Sequence, residues 1–409
     1  MSEKKSNGQA RYDELAYEKK NYFEEASEAE RTAMFDYAEG YKAFLDEAKT
    51  EREACDAAVR MAKEKGFTEY KFGDKLAAGD KKYFVNRGKS VVVFRVGTED
   101  LEKDGLRIIA SHIDAPRVDI KQNPLYEQSG MCFLKTHYYG GIKKYQWTAI
   151  PLALHGVVVK KDGTVIEVNI GEKSEDPVFV ITDLLVHLAA KQMEKKAGAV
   201  IEGEKLDLLF GSRPLEQAED LEKEEKEAVK KNVLRILEEY YHMEEEDFVS
   251  AELEIVPAGS ARDCGIDRSM ILAYGQDDRV CAFTSLFAML DTEAPERTAC
   301  CILVDKEEIG SVGATGMHSR FFENVIAELV ALEGQESELK VRRTLQNSRM
   351  LSSDVSAAYD PMYAEVFEKR SSAFFAKGLV FNKFTGSRGK NGSNDANAEY
   401  LARIRRAMD

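Results

Sequence analysis

Four short segments hold acids, one of them with a histidine, able to ligate a metal or move a proton, and each follows an apolar run. Ser111-His112-Ile113-Asp114 comes after residues 106–110, and Gln276-Asp277-Asp278-Arg279 after 270–274. Asp305-Lys306-Glu307-Glu308 comes after 300–304, and Ser352-Ser353-Asp354 after 349–351. If the runs are strands of an open α/β sheet, the residues after them lie at its ligand-binding edge. Carboxylates gathered in a partly buried cleft repel one another, so they must hold protons or a cation. A divalent metal resolves the conflict, and imidazole with carboxylates suits zinc, with manganese or cobalt as alternatives, better than magnesium. In His112-x-Asp114 the aspartate can accept from the ring nitrogen turned away from a metal and fix the tautomer, making His112 a ligand and Asp114 its orienter. Of Glu307 and Glu308, one can hold metal while the other faces substrate as general base. Each motif alone also has an ordinary reading: His-x-Asp as a simple hydrogen bond, Glu-Glu as a solvated helix face.

The elements that must position these residues follow from periodicity. Residues 12–65 are charged and rich in helix formers, with Met34, Tyr37, Tyr41 and Phe44 at spacings of three and four, and read as amphipathic helices ending near Gly66. Strands are expected at 82–86, 90–96 and 106–110, and hairpin strands at 152–159 and 164–170 around Lys161-Asp162-Gly163. Helices are expected over 183–195 and 221–243, the second with a stripe of Val229, Val233, Ile236, Leu237 and Tyr240 packed on its own domain. Beyond Pro257, strand and helix alternate (270–274 then 279–290, 300–304 then 321–332), which predicts a mostly parallel sheet covered on both faces.

Composition narrows the function classes. Lys plus Arg total 58 against 73 Asp plus Glu, a formal net charge of -15 over 409 residues, the wrong sign for nucleic acid or anionic membrane partners. No stretch is apolar enough to span a bilayer and the first twenty residues hold no secretory apolar core, so a cytoplasmic protein is expected. The 6 cysteines include no Cys-x-x-Cys pair, which predicts reduced, mostly buried thiols. Asn391-Gly392-Ser393 reads as a plain loop, and the glycines of 385–393 lack phosphate-loop spacing.

The motif set resembles the M18 family of zinc aminopeptidases, the aspartyl aminopeptidase and aminopeptidase I group. The resemblance rests on Ser111-His112-Ile113-Asp114-Ala115-Pro116, Asp277-Asp278, Glu307-Glu308-Ile309-Gly310-Ser311, and Ser353-Asp354 with Pro361 and Tyr363. Tyr139-Gly140-Gly141 and residues 181–188 add to it. It implies an α/β fold: an αβα zinc-exopeptidase-like catalytic domain in two parts, 1–120 and 258–409, interrupted by a β-rich oligomerisation and lid domain over 121–257. It implies two divalent metals, Asp277 bridging them, His112 and Asp354 completing one and Glu308 binding the other. Glu307 would be the general base acting on the amino-terminal peptide bond of small peptides with a free N-terminus, inside a homo-oligomer that is typically a dodecamer.

The resemblance also implies a last histidine ligand near the C-terminus. The sequence has no histidine after His318, so it is expected to stop short of that ligand and to hold the Glu308 metal weakly. Tyr145 stands where aspartyl aminopeptidases carry a substrate-site histidine, and Ala357 and Asp360 stand at further histidine positions, which points to a broader or neutral specificity. Lys143 and Lys144 are weaker substrate-binding candidates. Among the other histidines, His155 and His187 read as hydrogen-bonded core residues, and His137 is a secondary candidate beside Tyr139-Gly140-Gly141. Two other functions compete: a zinc carboxypeptidase or deacylase on the same scaffold, and an inactive or one-metal paralogue acting only as an oligomer.

Overall fold

Thr50 opens a helix because its hydroxyl accepts from the Glu53 amide while the Glu53 carboxylate accepts from the Thr50 amide. The computed structural model describes residues 11–13, 15–17, 19–216, 227–332, 334, 337–385 and 394–408. Residues 391–393, most of the 385–393 glycine stretch, and 221–226 of the expected 221–243 helix lie outside them. The longer helices are α1 (Glu28–Glu47), α2 (Glu51–Glu64), α3 (Ala228–Tyr241), α4 (Gln276–Asp291), α5 (Phe321–Ala331), α6 (Glu338–Asn347) and α7 (Ala398–Met408). Between residues 38 and 355 the strands are β1 (Thr68–Glu69), β2 (Lys81–Asn86), β3 (Ser90–Arg95), β4 (Arg107–His112), β5 (Arg117–Gln128), β6 (Met131–Tyr139), β7 (Leu152–Val159) and β8 (Val165–Ile170). They continue with β9 (Val180–Ile181), β10 (Leu208–Gly211), β11 (Ala251–Pro257), β12 (Arg262–Cys264), β13 (Met270–Leu272), β14 (Ala299–Val304) and β15 (Arg349–Ser352).

The chain divides into two compact units, residues 1–37 with 356–409, and residues 38–355. In the first, the Tyr22 amide donates to the Ala376 carbonyl at 2.7 Å. Its Tyr359 ring meets Phe367 and Phe374 at centroid distances of 5.6 and 5.2 Å.

The second unit holds two large sheets. One has the order β1-β2-β3-β14-β4-β15. Its β1–β2, β14–β4 and β4–β15 pairings are parallel, while β2–β3 and β3–β14 are antiparallel. Alternation along β3, β4 and β14 sends Val92, Phe94, Ile108, Ala110, Cys300 and Ile302 to one face, against Phe321, Val325, Ile326 and Leu329 of α5 and Val341 of α6. Val91, Val93, Cys301 and Leu303 point the other way, toward α2 and α4. The other sheet, β8-β7-β11-β5-β6-β10-β9, is antiparallel throughout. Its core takes in Val229, Val233 and Leu237 of α3, while Ile236 and Tyr240 of the expected stripe are exposed.

Three sequence expectations are corrected. β13, expected in the parallel sheet, pairs instead with β12 in a two-stranded ribbon. It is three residues long, with Leu272 exposed, so it lacks the apolar faces of a central strand. Residues 183–195 form one 3-10 turn, Val186–Leu188, and one α turn, Ala190–Met193, instead of a helix. Leu184, Leu185, Val186 and Leu188 all stay exposed, and a helix with no face to bury gains nothing from tertiary packing. His187 is accordingly exposed and no core residue. His155 is fully buried between Glu53, 2.8 Å from Nδ1, and Glu172, 3.1 Å from Nε2. All six cysteines are free, Cys55, Cys132, Cys300 and Cys301 buried.

Candidate metal centre

Register brings the chemistry to one sheet edge. His112 is the last residue of β4 and lies opposite Val304 in parallel β14, while Ser352 of parallel β15 lies opposite Ala110. The chain leaving β14 turns at Lys306 (φ 73°) into the single 3-10 turn Glu307–Ile309, closed by Gly310 (φ 89°). Asp277 and Asp278 arrive differently from expectation, in the irregular first turn of α4 and not at the end of a sheet strand. Gly275 before them has φ +76°, and a Cβ there would lie 1.9 Å from Nη1 of buried Arg279, so only glycine fits.

His112 is buried, with Nε2 3.2 Å from Asp277 Oδ1, 3.8 Å from Asp354 Oδ1 and 3.9 Å from Glu307 Oε2. Its Nδ1 lies 2.9 Å from the Asp114 backbone carbonyl and 3.3 Å from Asp114 Oδ1. The nearer orienting acceptor is therefore the Asp114 backbone. The Asp114 carboxylate does other work: Oδ1 accepts from the Glu307 amide at 3.1 Å, and Oδ2 from the Glu308 amide at 3.1 Å and the Tyr139 hydroxyl at 2.6 Å.

Charge crowding shows in the titration of these groups. Burial works against the His112 imidazolium, yet hydrogen bonds to Asp114 and Asp277 and nearby carboxylate charge hold its pKa at about 11. Burial, with Asp277, Asp114 and Glu307 adding to it, lifts Glu308 to about 7. Burial likewise lifts Asp278 to about 7, despite the Cys281 thiol and His112. Glu307 and Asp354 are raised, by burial first and neighbouring carboxylates next. Burial opposes ionisation of Asp114 too, but its donors His112, Tyr139 and the Glu308 amide win and lower it.

Two groups of possible ligand atoms, each within 4.8 Å of one another, occur among the described residues: His112, Asp278 and Asp354, and His112, Asp277 and Glu308. Neither oxygen of fully buried Asp278 finds an N–H or O–H donor; the Cys281 thiol beside it is a weak one. An orphaned buried carboxylate among like charges fits a hard divalent cation. Asp278 received no role from the sequence alone, since two adjacent aspartates do not disclose which is buried. Lys143, Lys144 and Tyr145 make no hydrogen bond or ion pair to the cluster among the described residues. The Lys144 ammonium instead reaches the Gly198 carbonyl at 3.2 Å and lies 5.7 Å from the Tyr138 ring centroid. His137 stacks beside Tyr138 on β6. A cavity of about 580 Å³ lined by Ile108, Met317, His318, Phe322, Leu345 and Met350 includes no member of the acidic cluster.

The sequence profile described as aminopeptidase I zinc metalloprotease (M18) matches residues 44–409. The chain belongs to the M18 family of metalloaminopeptidases, hydrolases of peptide bonds. It is 53% identical over 399 residues to a probable M18 family aminopeptidase 1 of Clostridium acetobutylicum, covering 97% of this chain and 84% of the relative. The crystal structure of an M18 aminopeptidase from Thermotoga maritima superposes with a TM-score of 0.89 at 44% identity, covering 96% of this chain and 84% of that one. The S. cerevisiae mApe1 dodecamer, at 21% identity and TM-score 0.66 over 83% and 76% of the two chains, shares the fold.

Gly140 lies against Glu308, a placement that spacing alone did not disclose. It has φ +72°, and a Cβ would stand 3.3 Å from Glu308 Cβ and 3.4 Å from Pro116 Cα. Gly140→Ala is expected to cost about 1–2 kcal/mol in backbone strain. It should also push Glu308 by a few tenths of an ångström and lower kcat/KM about tenfold. Steady-state kinetics beside a thermal melt check both effects; unchanged kinetics with a lowered melting point would restrict Gly140 to the turn.

Proposed function

We propose that this chain removes the amino-terminal residue of small peptides at two divalent ions, zinc first and manganese or cobalt next. Asp277, His112, Asp354 and Glu308 would hold the ions, Asp277 serving both. Asp278 lies within ligand reach beside His112 and Asp354. The observation that carries this reading is the pair of ligand-sized groups overlapping at His112, with the Glu307 carboxylate, which belongs to neither, 3.9 Å from the shared imidazole. When bound, the ions supply polarisation of the scissile carbonyl and stabilise its developing negative charge. Glu307 takes the proton of the attacking water and delivers it to the departing amine. Asp114 holds the turn from which Glu307 acts.

The second sheet is proposed as an inserted oligomerisation and lid domain over 121–257, between catalytic parts 1–120 and 258–409. Exposed Leu184, Leu185, Val186 and Leu188 support an assembly through it, and the mApe1 dodecamer suggests the size. No helix among the described residues is long and apolar enough to cross a membrane, and a cytoplasmic location is proposed from the acidic charge and free thiols.

Blocking the substrate's α-amine tests the reaction. A short peptide with a free N-terminus is expected to be cleaved at its first bond, and its N-acetylated form to react at least about 10³-fold more slowly. Comparable cleavage of both would favour the carboxypeptidase or deacylase reading.

A further inference from the structure

We propose that Tyr139 is a positioning residue, whose hydroxyl fixes the Asp114 carboxylate and through it the Glu307–Ile309 turn. Its catalytic consequence rests on the reading of Glu307 as general base and Glu308 as metal ligand. Asp114 takes three donors from two parts of the chain: the Tyr139 hydroxyl and Glu308 amide on Oδ2, and the Glu307 amide on Oδ1. A carboxylate has about four lone-pair sites in fixed directions, so the hydroxyl helps decide which way it faces. The 2.6 Å contact to Tyr139 is the shortest of the three. Both amides belong to the first two residues of a one-turn helix that the Gly310 amide closes on the Glu307 carbonyl at 2.8 Å, and no carbonyl within the turn accepts from either of them. If Asp114 rotates, that turn loses its side-chain acceptor.

Tyr139 is itself held rigidly. It is the last residue of β6, 7% exposed, and lies opposite Arg117, the first residue of β5. The Arg117 guanidinium sits 4.0 Å from its ring centroid and the Lys306 ammonium 5.2 Å from it. Arg117 is in turn anchored by Asp119 at 2.8 Å, Glu254 at 3.1 Å and Glu51 at 3.3 Å. The second sheet thereby reaches the catalytic turn through one phenol, joining the strands of one sheet to the chemistry at the edge of the other.

The test uses Tyr139→Phe in the full chain, which keeps the ring between its cations and removes only the hydroxyl. Hydrogen exchange on the metal-free protein is read at the Glu307 and Glu308 amides, with the β7 and β11 amides as internal reference. Exchange is expected to accelerate about tenfold at 307 and 308 and to stay unchanged in the reference. In the zinc-loaded protein kcat is expected to fall about 10–100-fold, with zinc affinity against a chromophoric chelator falling within the same range. KM should stay within about twofold. Unchanged exchange at 307 and 308 would overturn the proposal. So would native amides exchanging as fast as an open loop, a measurement that needs no variant should Tyr139→Phe fail to fold. p-Aminophenylalanine at 139 restores a donor and is expected to restore protection; failure to do so when Phe has lost it would also overturn the proposal. A native chain that shows the protected turn yet cleaves no free N-terminus would overturn the functional reading while supporting the positioning role.

Discussion

Glu307→Gln is expected to lower kcat by about 10²–10⁴-fold, with zinc content and unfolding midpoint unchanged. Glutamine keeps the size and hydrogen-bonding reach of the side chain and removes only the ability to accept a proton. Glu307 stands in neither ligand-sized group, so its loss should spare the metals, whereas Asp277→Asn should lose metal and activity together. Its position suits the role: 46% of the side chain is exposed to solvent, and Oε2 stays 3.9 Å from the buried imidazole. Burial, then Asp354, Asp114 and Asp277, raise its affinity for a proton against the pull of His112, which makes it a better base than a free glutamate. Elemental analysis of the purified variant beside its kinetics checks the prediction. Undiminished turnover at full zinc occupancy would show that the proton leaves by another route.

Much of this site was legible from sequence because parallel strands carry their C-terminal residues to one edge. His112, the Glu307-Glu308 pair and Asp354 follow β4, β14 and β15 in that way. Asp277 joins the cluster from a different element than the one expected, since a short apolar run reads alike whether it enters a buried sheet or an exposed ribbon such as β12–β13. Residues 183–195 misled for a related reason. Their apolar spacing suits a helix, but among the described residues nothing buries Leu184, Leu185, Val186 or Leu188. Burial of Asp278, the amide contacts of Asp114, the space beside Gly140 and the bond from Tyr139 depend on residues far apart in sequence, from Gly140 and Pro116 to Asp114 and Glu308, or on local backbone angles. No spacing rule discloses such contacts. The motif pointed to Tyr139-Gly140-Gly141 without saying what either residue type was for.

Metal removal should expose the cost of the acidic cluster in a pH-dependent way. Chelation is expected to reduce activity by more than about 10³-fold and to lower the unfolding midpoint by several degrees. Zinc at 100 times its Kd contributes about 2.7 kcal/mol to the folded state. In the metal-free chain Glu308 and Asp278 have folded pKa values of about 7, above their ordinary 4.5 and 3.8. For acids raised on folding, the native state binds more protons than the unfolded one between those values, so stability falls as pH rises from about 4 through about 7. His112, raised from 6.5 to about 11, contributes stability that is complete below 6.5 and is lost as pH climbs through 11. Both trends run the same way, and the metal-free midpoint is expected to decline steadily from pH 5 to pH 9. Zinc binds the deprotonated ligands, so its affinity rises over the same interval and the gap between loaded and metal-free midpoints widens. At pH 7 binding should release about two protons, one from His112 and a fraction each from Glu308 and Asp278. Scanning calorimetry with and without zinc across that range, and titration calorimetry in buffers of different ionisation enthalpy, measure both quantities. A metal-free midpoint that rises with pH, or binding that releases no protons, would mean that these carboxyls and the imidazole do not share the ion.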